Sequence, residues 1–189
     1  MTKQRLEAFS DAVIAIIITI MVLGLEVPHS TEWSALRPLA PPFFTHVLSF
    51  IFLGIYWSNH HHMLHAVSRI NGKILWANLH LLFWLSLIPF VTGWMGENNF
   101  EPVPTATYGF VLLFAGIAYY ILEQLLIAHE GKDSKLKAAV GKEIKGIVSV
   151  VFYLLAIPLA FIDCWISLGL FVLVALMWLV PDRRIERKL

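Results

Sequence analysis

Asp11 is the residue whose chemistry most needs explaining. It stands with Arg5, Glu7 and Ser10 at the start of RLEAFSDAVIAIIITIMVLGL, residues 5–25, which then runs apolar except for the hydroxyl of Thr19. Such a run is long enough to cross a bilayer, which takes about 20 residues of helix. An Asp near the centre of a membrane helix costs roughly 2.5–3.5 kcal/mol on insertion scales, so Asp11 requires partners. Three chemistries are open to it. It can brace its helix through buried hydrogen bonds, it can move protons with Glu123 in a coupled carrier, or it can lie beside a histidine-rich metal site. His60, His61, His62 and His65 raise the last option, because His61 and His65 are four apart and share a helical face, as metal ligands often do. Against it, His29, His46, His80 and His129 form no second such group, and His29, His46 and Cys164 fall toward the opposite membrane side. The single cysteine excludes an intrachain disulfide and any cysteine-based metal site. Against the carrier, the first-helix motif has no repeat at the fourth span, and there is no pair of broken helices. The expectation is therefore no metal, no cofactor and no enzyme activity.

The elements that position these residues are membrane helices. Of 189 residues, 58% are hydrophobic and 14% charged, against ~25% charged in soluble domains. Six apolar spans are expected, at about residues 8–25, 42–64, 74–95, 106–127, 146–162 and 165–180. Together they make one all-α integral membrane domain over residues 1–189. The first span has no small-residue cleavage site and reads as a retained helix. A very short turn at Asp163–Cys164 joins the last two spans into a hairpin, and Pro89 and Pro158 should kink the spans that contain them.

Orientation follows from the basic residues. Lys3, Arg5, Arg69, Lys73, Lys132, Lys135, Lys137, Lys142, Lys145, Arg183, Arg184, Arg187 and Lys188 all fall on the side that holds both termini. The other side holds only Arg37, and it carries Glu26, Glu32, Glu97, Glu101 and Asp163. Both termini are thus expected to be cytoplasmic in a multi-pass plasma-membrane protein. The basic segment 132–145 reads as a surface touching anionic lipid. Trp33, Trp94, Trp165 and Trp178 sit near span ends, as an interfacial belt requires. A net charge of only +1 suggests no nucleic-acid partner.

Alternating span directions also collect the polar side chains. Ser10 and Asp11, then Trp57, Asn59, His60, His61 and His62, then Trp76, Asn78 and His80, then Glu123 and Gln124 all fall in one cytoplasmic-side layer. That layer supplies hydrogen-bond partners for Asp11, and the outer halves of the spans read as mostly apolar. On a wheel of about 100° per residue with Asp11 at zero, Thr19 falls at about 80°, Leu23 at about 120°, Ile16 at about 140° and Ile20 at about 180°. Phe9 and Ala12 lie close to this stripe, and Ser10 and Asp11 point away from it. Two readings fit. The stripe faces lipid or core and Thr19 bonds back to a carbonyl one turn earlier, or the stripe faces an axis shared by several copies and makes an apolar throat that gates by dewetting.

Arg5-x-x-x-Phe9-Ser10-Asp11, followed by Ala12, Val13, Ile14 and Ala15, resembles the R-x-x-x-F-S-D signature of the transmembrane protein 175 family, the lysosomal potassium channels and their prokaryotic relatives. Trp57-x-x-His60-His61 resembles that family's second-helix pattern, and Asn78-Leu79 with Leu87-Ile88-Pro89-Phe90-x-Thr92 its third. A single signature is similar to the six-helix prokaryotic form. The resemblance implies a homotetramer around a pore lined by the first helix. It implies Ile16 as the apolar bottleneck, Thr19 as the hydroxyl that aids potassium selectivity, and Ile20 and Leu23 as further pore-lining residues. It also implies a bracing network of Arg5, Ser10 and Asp11, with Trp57, His60, His61 and Asn78 as their partners. The expected activity is passive permeation of potassium in preference to other monovalent cations. Without a Gly-rich carbonyl filter, the expected selectivity over sodium is moderate.

Overall fold

The computed structural model describes residues 2–131, 136–137 and 144–179. Helix α1 spans Lys3–Met21, and its first turn is capped by the Thr2 side chain, which accepts from Arg5 N. It continues into a 3-10 turn at Val22–Gly24. A second 3-10 segment, Trp33–Leu39, leads into α2, Ala40–His65, which opens on Pro41 and Pro42, where a missing N–H costs nothing. Next come α3, Gly72–Ser86, and α4, Ile88–Glu97. Helix α5 spans Pro102–Glu130, α6 Ile144–Leu159 and α7 Cys164–Leu179. The described residues contain no strand.

Four stretches, Lys3–Gly24, Trp33–His65, Gly72–Glu97 and Pro102–Glu130, are long and apolar enough to cross a membrane. The last two apolar helices, α6 and α7, have 16 residues each. The chain is therefore an all-α membrane protein whose six apolar rods are α1, α2, α3 with α4, α5, α6 and α7. Most of the basic segment 132–145, and Arg183, Arg184, Arg187 and Lys188, lie outside the described residues.

The two prolines act differently from simple kinks. The rod containing Pro89 breaks at Leu87, which ends α3 and precedes α4. Pro89 has no N–H to give, and its ring crowds the carbonyl four residues earlier, so the ladder stops there. Pro158 stands in the last turn of α6, and the chain then turns over residues 160–163. Asp163 Oδ1 accepts from Trp165 N at 2.9 Å to start α7, and Ser167 Oγ donates to Ala156 O at 2.7 Å to staple the hairpin.

Helix α5 is the centre of the subunit, packing on α3, α4, α6 and α7. Its Leu112, Ala115, Ala118, Leu122 and Leu126 are wholly buried. Small residues let the backbones close in. The tightest such contact joins α2 and α4: a Cβ on Gly96 would stand 2.6 Å from both Pro42 Cα and Thr45 Oγ1. Gly96→Ala must part these helices, and overpacking of this kind costs about 1–3 kcal/mol. The variant should melt below wild type in detergent, whereas Gly54→Ala, where an added Cβ meets nothing within 4 Å, should not.

Helix α1 lies at the edge. It packs on α2, α3 and α4 through Leu6, Ser10, Ile14, Ile17 and Met21, and its other face is uncovered.

Candidate functional site

The uncovered face of α1 is the stripe found on the wheel. Phe9, Ala12, Ile16, Thr19, Ile20 and Leu23 are all exposed. Ile16 is 58% exposed and Leu23 80%, whereas Ile14 and Ile17 are 1% and 3% exposed. Ala8, Ala12 and Ala15 are exposed on the same side, with the Phe9 ring about two turns below Ile16. Thr19 Oγ1 donates back to its own helix, 3.0 Å from Ala15 O and 2.9 Å from Ile16 O. That bond uses the hydroxyl proton and leaves the oxygen able to accept on an exposed residue.

Behind this face the polar corner fastens α1 to its neighbours. Trp57 Nε1–H donates to Asp11 Oδ1 at 3.0 Å. The partner of Asp11 is thus an indole of α2, half exposed beside it. Beside it lies a second, fully buried string. His60 Nε2 meets Asn78 Oδ1 at 2.7 Å, Asn78 Nδ2 donates to Ser10 Oγ at 2.9 Å, and Ser10 Oγ donates to Leu6 O at 2.9 Å. The amide of Asn78 faces Ser10, so its oxygen faces His60, and the imidazole must carry its proton on Nε2. The string therefore runs in one donor direction from α2 through α3 to α1. Ser10, His60 and Asn78 are each 0% exposed. His60 Nδ1 is buried and has no hydrogen-bond partner among the described residues.

The other polar residues of this layer are placed apart from that string. His61 Nδ1 lies 3.3 Å from Glu7 Oε1 and stacks on Trp57 and on His65. Arg5 is exposed and contributes its backbone N–H to the Thr2 cap. His80 accepts from Trp84 Nε1 at 2.9 Å on its own helix, and Glu123 is buried on α5. Among the described residues no three His, Cys, Asp or Glu side chains converge as metal ligands.

Sequence reasoning missed a second buried polar cluster, in the half of the bundle opposite the Asp11 layer. Thr92 Oγ1 donates to Ile88 O at 2.6 Å, Ser49 Oγ lies 2.7 Å from Thr92 Oγ1, and Tyr108 OH lies 2.9 Å from Ser49 Oγ. With the Thr92 proton spent on Ile88, the direction is Tyr108 to Ser49 to Thr92, which joins α5, α2 and α4. The only sequence signal was three hydroxyls on different apolar spans, with nothing to show that they share a depth and a face.

A six-rod helical bundle with one bare helix face and polar staples behind it defines a polytopic membrane protein. The family model described as endosomal/lysosomal potassium channel TMEM175 matches residues 5–89, which contain every residue of the α1 stripe and both staples. A potassium channel of Chryseobacterium sp. (strain P1-3) is 54% identical over 189 residues, covering 100% of this chain and 98% of that relative. A potassium channel of Streptomyces collinus is 30% identical, covering 92% of this chain and 90% of the relative. Among solved structures, the lysosomal potassium-selective channel TMEM175 homolog from Chamaesiphon minutus superposes with a TM-score of 0.82 at 27% identity, over 94% of this chain and 96% of that one. The chain belongs to the TMEM175 family of channels.

Proposed function

We propose that this protein is a potassium-preferring cation channel, assembled as a homotetramer whose pore is lined by the bare face of α1. It works without cofactor, metal or catalytic step, in the plasma membrane with both termini cytoplasmic. The observation that carries this reading is the bare face itself. A lipid-facing helix has no need of three exposed alanines on one side, whereas close approach of helices favours them. Lipid also leaves the Thr19 lone pairs unused, whereas a cation passing an axis does not.

In this arrangement Ile16 forms the narrowest apolar ring, and Thr19, one turn farther out, presents a ring of hydroxyl oxygens. Ile20 and Leu23 continue the wall outward. An apolar ring stops ions when it dries and passes them when slight dilation lets it wet. The Thr19 oxygens replace part of the lost hydration. They are few, and they sit on a helix, not on a carbonyl cage, so selectivity over sodium is moderate. The staples Asp11–Trp57 and His60–Asn78–Ser10 fix the rotation of α1, and thereby which residues the axis sees. Arg5 and the Glu7–His61 pair complete the polar base of that helix.

The test is a bi-ionic reversal potential in planar bilayers, potassium on one side and sodium on the other. Wild type should reverse toward the potassium equilibrium potential. Thr19→Ala should lower the potassium preference by about two- to tenfold, the worth of one modest polar contact. A wild-type reversal at zero, or no current from folded protein, would sink the reading.

A further inference from the structure

The outer ends of α1 and α4 leave a groove of about 360 Å³ between them, lined by Gly24, Pro89, Phe90, Gly93, Trp94 and Glu97. Phe90, Gly93, Trp94 and Glu97 recur at helical spacing, so α4 presents them on one face. The Phe90 and Trp94 rings stand 5.9 Å apart at 30°, and Phe90 is 65% exposed. Gly93 opens the floor. A Cβ there would meet only Glu97 Oε1, at 3.8 Å, so the carboxylate folds back over the groove. Among the described residues, neither that carboxylate nor the Trp94 indole N–H has a hydrogen-bond partner.

The order of these groups along α4 is what identifies an occupant. The chain runs outward here, so Phe90 lies deepest and Trp94 one turn farther out; the Glu97 backbone is about 10 Å beyond Phe90, and its carboxylate reaches back to the level of Gly93 and Trp94. An apolar ring below, with indole N–H and carboxylate together above it, follows the order of a phospholipid: acyl chain below, phosphate and headgroup above. Indoles settle at that middle level because one edge is apolar and the N–H is polar. The carboxylate then selects among headgroups. It repels an anionic lipid, and it accepts charge-assisted hydrogen bonds from a primary ammonium. A choline headgroup has no N–H to give.

We propose that this groove binds a phosphatidylethanolamine, its ammonium on Glu97, its phosphate region at the Trp94 N–H and an acyl chain along Pro89 and Phe90. The bound lipid touches Gly24 and so abuts the outer end of α1. The proposal rests on the membrane orientation of the chain and not on its ion selectivity. A binding measurement therefore fails or succeeds separately from any current.

The test uses full-length protein in nanodiscs with matched acyl chains. Phosphatidylethanolamine is titrated against phosphatidylcholine, and retained lipid is counted by native mass spectrometry. Wild type should retain phosphatidylethanolamine in preference. Glu97→Gln should lower that preference about tenfold, the usual worth of a charge-assisted bond. Gly93→Leu, which fills the floor, should abolish it. The proposal is overturned if wild type shows no preference, or if both variants retain the lipid as wild type does. It is also overturned if soluble ethanolammonium alone displaces the lipid. A change of subunit number in Glu97→Gln would assign the groove to a second copy of this chain and overturn it too.

Discussion

Ile16→Asn should raise the leak current of the closed channel about tenfold or more. The barrier at a dry apolar ring is the work of stripping water from an ion where nothing replaces it. An asparagine amide from each copy supplies that replacement and keeps the ring wet. Every 1.4 kcal/mol removed from the barrier multiplies the flux about tenfold, and one amide contact per copy is of that size. The neighbouring position is the control. Ile17 is 3% exposed, against the inner helices, so Ile17→Asn buries an amide in the subunit core. It should lower the melting temperature and leave the leak of the surviving protein unchanged. Planar-bilayer conductance at matched protein density measures both. Unchanged conductance and gating in Ile16→Asn would remove Ile16 as the constriction.

Periodicity alone separated the Ile16 stripe from the rest of the helix but left open whether that stripe faced core, lipid or a shared axis. A helix packed on one side must bury one arc and bare the other, and the arc around Leu6, Ile14, Ile17 and Met21 is the buried one. That the polar residues share one layer was readable for a similar reason: alternating directions fix depth. What depth does not fix is rotation. Trp57, His60 and His61 lie within about one turn of α2, yet one meets Asp11, the next Asn78 and the third Glu7. Deciding among them requires the azimuth of α2 against α1, which no residue spacing states. The same gap hid the Ser49–Thr92–Tyr108 string and the Gly96 contact, each of which depends on two rods meeting at one height. Pro89 was legible as a disturbance, and the structure shows it as a one-residue interruption at Leu87 within one span.

Asn78→Leu should be among the most destabilising single changes in the chain, at about 2–4 kcal/mol. It deletes two buried hydrogen bonds and strands the His60 N–H. Each neutral bond is worth about 1 kcal/mol net, and an unpaired buried donor costs about 1–3 kcal/mol. His60→Leu strands the Asn78 oxygen instead and should cost somewhat less, because a lone carbonyl is the easier group to leave short of partners. Paired replacement behaves differently. With leucine at both positions no polar group is stranded, and Ser10 still donates to Leu6 O. The double variant should therefore melt well above the sum of the single losses, with a coupling within the roughly 0.5–3 kcal/mol range of contacting pairs. Thermal melting in detergent resolves this, and strictly additive losses would mean that His60 and Asn78 do not act as a pair. Trp57→Phe, by comparison, leaves Asp11 short of one donor at a half-exposed site where water or headgroups take its place. It should lower stability less than Asn78→Leu does. The two staples thus divide the work by burial: the buried string holds α1 in the subunit, and the half-exposed Trp57–Asp11 bond orients it.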